Sequence, residues 1–205
     1  MLDKVGLDEV GRGAWAGPVV VASARGDSKG VAEILSDGRG GFVDSKILGP
    51  QRRLSKLDQL TSTGVSFGVG FVPAKVVDGV GLVSALRQAA LLALGETTPS
   101  IILLDGDSNY LGSRNVETIV KGDVRDPLIA AASIYAKVAR DQLMVELDAE
   151  LPYWDFASNK GYGTWRHRCG LAAMGPSPEH RLSFEPVRLS KVRSGTMPQV
   201  GRVVE

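Results

Sequence analysis

A single cysteine, Cys169, and only two histidines, His167 and His180, occur in these 205 residues. One thiol excludes an intramolecular disulfide and any thiolate metal cluster, and the scarcity of imidazole speaks against zinc. No apolar run reaches the length that spans a bilayer. No secretory leader is expected, so the protein is read as cytoplasmic and free of the membrane; a monomer is expected. Gly-Lys-Ser and Gly-Lys-Thr are absent, which removes a P-loop. Nor does one sign of charge dominate: 24 Lys and Arg against 23 Asp and Glu leave +1, so a globally basic nucleic-acid binder is not indicated. Internal repeats and low-complexity blocks are missing too.

What is present is an ordinary globular composition, 43% hydrophobic and 23% charged, in a length that suits one domain with a sizeable core. Charge is uneven, however. Phe156 to Arg193 carries seven basic residues (Lys160, Arg166, Arg168, Arg181, Arg188, Lys191, Arg193) against Glu179 and Glu185. A basic flank beside an acidic centre can grip a polyanion while the acids hold cations; a solvated basic surface is the other reading.

The most informative stretch is Asp8-Glu9-Val10-Gly11-Arg12-Gly13. Two carboxylates end an apolar run, and a Gly-Arg-Gly turn follows at once. Carboxylates are hard oxygen ligands, glycines let backbone N–H groups approach an anion, and arginine offers a forked donor. A polar turn between two strands is the plainer alternative. Gly11 to Ala16 also fits a loose dinucleotide fingerprint, but that motif needs a helix next. Here Gly17-Pro18 leads into Val19-Val20-Val21, which is strand chemistry.

Patterning predicts a two-strand hairpin over Val5–Arg25, a short helix within 28–41, and a helix from Pro50 to Leu60. A third strand is expected at Gly64–Val72, a helix at Leu82–Leu94, and strands at Ser100–Leu104 and Val116–Val120. A long helix should run from Pro127 to Leu147 with Asp126 as its N-cap, and a further helix over 163–173. The order gives an α/β fold with a mixed sheet. Residues 1–193 are read as one domain with a helical C-terminal part, and 194–205 as a flexible tail.

Asp8 and Asp105 each end an apolar strand ahead of a glycine. If those strands are neighbours, their carboxylates meet, and Asp123 could join them near the start of the long helix. Acids crowded without histidine or cysteine suit Mg²⁺ or Mn²⁺. Glu9 poses a difficulty. Successive side chains of a regular strand point to opposite faces, so Asp8 and Glu9 share a site only if the strand ends or bulges there.

These motifs, with Asp44-Ser45-Lys46, Leu104-Asp105-Gly106, Lys121-Gly122-Asp123, Ile129 to Asp141, Lys160-Gly161-Tyr162-Gly163-Thr164 with His167, and His180 to Val187, resemble ribonuclease HII, the type 2 ribonuclease H family. The resemblance spans about Val5 to Arg188. It implies a ribonuclease H-like fold, a central mixed sheet flanked by helices. It implies an endonuclease that cuts RNA in RNA–DNA hybrids and on the 5′ side of single ribonucleotides embedded in duplex DNA, leaving 5′-phosphate and 3′-hydroxyl ends during replication and repair. The implied metal-site carboxylates are Asp8, Glu9, Asp105 and Asp123, holding two divalent ions. Gly11, Arg12 and Gly13 would read the ribose 2′-hydroxyl, Tyr162 would stack on the next deoxyribose, and Lys46 would meet a phosphate. A hybrid-binding module without activity is the alternative. Lys137 and Arg140 share a helix face that could touch nucleic acid or only solvent. Trp154 is expected to pack, Trp15 and Trp165 stay open, and Arg181 is expected to pair with a buried acid.

Overall fold

The computed structural model describes residues 3–194, with side chains described to residue 190; most of the expected tail lies outside the described residues. Five strands form one mixed sheet: β1 (Lys4–Val10), β2 (Val19–Arg25), β3 (Ser66–Val72), β4 (Ile101–Asp105) and β5 (Val116–Ile119), in the order β3-β2-β1-β4-β5. The first three pair antiparallel, with Asp8 opposite Ala22. β4 pairs parallel with β1 on one side and with β5 on the other. The helices are α1 (Ser28–Leu35), α2 (Pro50–Ser62), α3 (Ala74–Val80), α4 (Leu82–Leu94), α5 (Pro127–Glu150), α6 (Phe156–Asn159), α7 (Trp165–Met174) and α8 (Glu185–Ser194).

Alternation along β1 divides the core. Val5 and Leu7 pack with Ala85, Leu86, Ala89 and Ala90 of α4. The opposite face meets α5, whose Leu128, Ala131, Ala132 and Ile134 pack with Val31 and Leu35 of α1 and Leu57 and Leu60 of α2. Gly6 permits this approach. A Cβ there would stand 2.3 Å from the Leu128 carbonyl carbon and 2.5 Å from the Ile129 nitrogen, so the first turn of α5 rests directly on β1, two residues before Asp8. That turn starts as expected: the Asp126 carboxylate accepts from Leu128 N at 2.9 Å and Ile129 N at 3.0 Å, with Pro127 first in the helix.

The remaining expected elements fall within a few residues of their predicted bounds. α3 is the difference, with α6 and α8. Ala74–Val80 carries β-branched Val76 and Val77 and a glycine, a poor helix sequence by itself. Tertiary contact holds it: the Asp78 carboxylate accepts from Leu182 N at 2.7 Å and Ser183 N at 2.9 Å, which fastens the C-terminal segment to α3.

Candidate active site

β1 and β4 run in parallel register, with Leu7 beside Leu104. The next residue on each strand is an acid, so Asp8 and Asp105 emerge side by side at the carboxyl end of the sheet. Asp8 is buried, at 6% exposure. Burial first, then the charges of Asp105 and Glu9, hold its carboxyl well above the usual range, against the opposing hydrogen bond from Ser133. Asp105 accepts a 2.7 Å bond from Gly122 N, which ties β4 to the turn carrying Asp123.

Glu9 resolves differently from the expectation. The strand neither ends nor bulges at Asp8, because the ladder continues through Glu9–Val21 and Val10–Val20. Glu9 reaches Arg12 at 3.3 Å and the Tyr110 hydroxyl at 3.4 Å, and Tyr110 belongs to the core on the α4 side. Its carboxyl is raised by burial, with the Arg12 guanidinium pulling the other way and Asp105 adding to the rise. Asp105, at the strand end, is therefore within electrostatic reach of acids on both faces. Asp123 is buried in a turn of 3₁₀ helix over Gly122–Val124, and its carboxylate meets the Lys46 ammonium at 3.1 Å. Among the described residues, no three acidic, histidine or cysteine side chains stand as a ready ion cage; each of the four acids has a protein partner.

Asp8, Glu9, Val10, Ser45, Lys46, Ser133, Lys137 and Tyr162 line one cleft of about 300 Å³. Burial opposes the charge on Lys46, but its bond to Asp123 and the fields of Asp123, Asp8 and Asp44 prevail and raise its affinity for a proton. Tyr162 is 39% exposed. Gly11 is buried with φ +84°, and a Cβ there would lie 2.2 Å from the Arg140 Nε; Arg12 and Gly13 are exposed. The structure thus gathers Asp8, Glu9, Lys46 and Tyr162 in one cleft; Asp105 ends the strand beside that of Asp8, Asp123 meets Lys46, and the Gly11–Gly13 turn follows Val10 directly.

Three residues, Ser45, Ser133 and Tyr110, were given no role from the sequence, although both serines lie within its motifs. Ser133 bonds Asp8 and shares a 2.9 Å hydrogen bond with Ser45, and Tyr110 caps Glu9. The one available signal was a lone serine in the Ala130–Ala136 run. Two other expectations are corrected. Arg140 is fully buried rather than on a helix surface with Lys137. Arg181 is fully buried but bonds backbone carbonyls rather than an acid, at Gly17 and Arg12. Trp154 is buried as expected; Trp15 is partly buried against His167, with ring centroids 5.7 Å apart, and Trp165 is 72% exposed.

The family model described as Ribonuclease HII matches residues 5–187. A curated relative, the ribonuclease HII of Acaryochloris marina, is 42% identical over 192 residues, covering 90% of this chain and 93% of the relative. Among solved structures, ribonuclease H2 from Pyrococcus horikoshii superposes with a TM-score of 0.76 at 24% identity, over 96% of this chain and all of that one. Bst-RNase HIII in complex with Mn²⁺ gives 0.64 at 21% identity, over 93% of this chain and 70% of that one. The fold is the ribonuclease H-like fold.

Proposed function

This chain belongs to the ribonuclease HII family and is a ribonuclease, an endonuclease of the hydrolase class, and we propose the substrate and chemistry that its site serves. It cuts the RNA strand of RNA–DNA hybrids and, in duplex DNA, cuts on the 5′ side of a single embedded ribonucleotide. The products carry 5′-phosphate and 3′-hydroxyl ends, as ribonucleotide removal in replication and repair requires. It does so as a cytoplasmic monomer.

The observation that carries this reading is the juxtaposition of Asp8 and Asp105 at the ends of two adjacent parallel strands. Burying a carboxylate beside a second one is unfavourable; burial first, then the Asp105 charge, raises the Asp8 carboxyl. Acids so placed, with only oxygen donors near them, fit a hard divalent cation such as Mg²⁺ or Mn²⁺, the second of which is present in the Bst-RNase HIII structure. Asp8, Glu9, Asp105 and Asp123 would hold two such ions. When bound, the pair supplies a water of lowered pKa and stabilises charge on the departing oxygen.

The chain's own groups do the rest. Lys46, already at the cleft, places an ammonium beside the acids, where a phosphate would exchange for Asp123 as its partner. Gly11 to Gly13 presents backbone N–H groups and the Arg12 fork toward the sugar. The 2′-hydroxyl is the one group that marks a ribonucleotide at such a site. Tyr162 offers a ring face for the adjoining deoxyribose.

The test is Asp105→Asn, nearly isosteric but a poor ligand for a hard cation. Cleavage of a duplex with one embedded ribonucleotide should vanish, while hybrid affinity at fixed salt stays close to that of the unsubstituted protein. A chelator should abolish cleavage by the unsubstituted protein. Turnover by Asp105→Asn near the normal rate would take Asp105 out of the metal site.

A further inference from the structure

Two guanidinium groups lie fully buried behind the cleft, and among the described residues neither forms an ion pair. Arg140, on α5, donates Nε to Pro18 O at 3.0 Å, one terminal nitrogen to Lys160 O at 2.8 Å, and the other to Ala16 O at 3.1 Å. Arg181 donates two nitrogens to Gly17 O, at 3.1 and 3.0 Å, and the third to Arg12 O at 3.0 Å. Both stay cationic in a protein, since the guanidinium does not deprotonate there. A buried charge without a counter-charge is costly. Here six charge-assisted bonds to carbonyl oxygens offset that cost, and five of the six reach one loop, residues 12–18. The sixth reaches Lys160, two residues before Tyr162. The same Arg140 guanidinium lies 5.8 Å from the Tyr162 ring centroid and against Gly11. Trp15 N completes the tie by donating to Gly161 O at 2.8 Å.

The two segments that this fork joins are the two expected to read the sugar, the Gly11–Gly13 turn and Tyr162. Neither belongs to a strand or helix that would set its position. We propose that Arg140 and Arg181 are positioning residues that fix the Gly11–Gly13 turn and Tyr162 relative to each other, and so set the selectivity for a ribonucleotide–deoxyribonucleotide junction. The proposal rests on the junction-reading function above. It does not involve the metal-site acids: no hydrogen bond or ion pair joins either guanidinium to Asp8, Glu9, Asp105 or Asp123.

Arg140→Lys and Arg181→Lys test it. Each keeps the charge and loses the planar fork, so the loop carbonyls can no longer be held together by one group. Three quantities are read in both variants: kcat and KM on a duplex with one embedded ribonucleotide and on a long RNA–DNA hybrid, the Mg²⁺ dependence of cleavage, and amide hydrogen exchange by segment. Preference for the embedded ribonucleotide should fall on the order of 10- to 100-fold relative to the unsubstituted protein, as misplacement of reading groups does. The Mg²⁺ midpoint should stay put. Exchange should quicken in 11–18 and 160–164 while β1 and β4 stay protected. Unchanged preference with unchanged exchange would overturn the proposal. So would an equal loss on both substrates with exchange quickened across the sheet, which is what a purely structural role predicts. Should Arg140→Lys fail to fold, Arg181→Lys carries the same comparison from the other end of the loop. If the unsubstituted protein does not cleave at an embedded ribonucleotide, the function proposed above fails, and segmental exchange alone then decides whether the arginines order the loop.

Discussion

Acidification should weaken this protein through His180, a buried histidine that does not line the acidic cleft. Backbone N–H groups only donate and carbonyls only accept, so the hydrogen bonds fix both tautomers. Ser177 N donates to His180 Nδ1 at 2.9 Å, leaving the His180 proton on Nε2. That proton points to His167 Nε2, 2.9 Å away, and His167 Nδ1–H donates to Tyr162 O at 2.9 Å. Each ring must be neutral for the chain to close. Burial, then the neighbouring His167, pushes His180 down to about 3, and burial lowers His167 as well. A histidine whose folded value lies below its unfolded value takes up a proton more readily unfolded. Its stabilisation is therefore complete above about pH 6.5 and is lost as pH falls from there toward the folded value. The slope is about 1.4 kcal/mol per pH unit, so at about pH 5 His180 alone removes roughly 2 kcal/mol. For a chain of this size that lowers Tm by about 4–8 °C. Asp8 and Glu9, whose carboxyls are raised, act with the opposite sign, so the measurement is a difference. Unfolding should be followed at about pH 7.5 and about pH 5 for the unsubstituted protein and for His180→Gln, whose amide supplies one acceptor and one donor and stays neutral. The variant should start lower and lose about 2 kcal/mol less on acidification. An equal loss in both proteins would refute the neutral, buried His180.

Tyr162→Ala should cost about 1–3 kcal/mol of stacking, roughly a 5- to 150-fold loss of cleavage, larger for a lone ribonucleotide than for a long hybrid, which offers many registers. Paired kinetics on the two substrates check it, and an equal loss with a lowered Tm would leave the tyrosine a packing residue. Gly6→Ala should destabilise by about 3 kcal/mol or more, because the added carbon meets backbone of α5 that cannot turn aside. Denaturant unfolding measures this, and a loss under about 0.5 kcal/mol, the range of an innocuous surface change, would show that α5 can shift away from β1.

Much of the architecture was legible because its signals are local. Val5–Leu7 and Ile101–Leu104 are apolar runs that stop at an acid and a turn, and Asp126-Pro127 is a helix start that the structure uses as written. The pairing of Asp8 with Asp105 needed one more inference, that the two strands are neighbours, and parallel register supplied it. α3 escaped because its helix is held by Asp78 against residues more than a hundred positions away, and propensity alone argues against it. Glu9 was framed too narrowly: alternation does send it to the other face, but on the last residues of β1, with the ladder still intact, side chains of both faces line the same cleft.

Arg140 was read as a surface cation, yet a sequence signal was there. Spaced by four along α5 stand Ala132, Ala136, Arg140 and Met144, all buried, and the adjacent row is Ser133, Lys137 and Asp141, which looks toward the cleft and Arg53. An arginine in an apolar row is permissible only where acceptors await it. The loops over 11–18 and 160–163 are glycine-rich and mostly off the sheet ladder, so their carbonyls need donors from elsewhere. Each feature alone is a defect, a buried charge in one case and unpaired carbonyls in the other. Together they satisfy one another, and the loops that meet the substrate gain a defined shape without a strand or helix of their own.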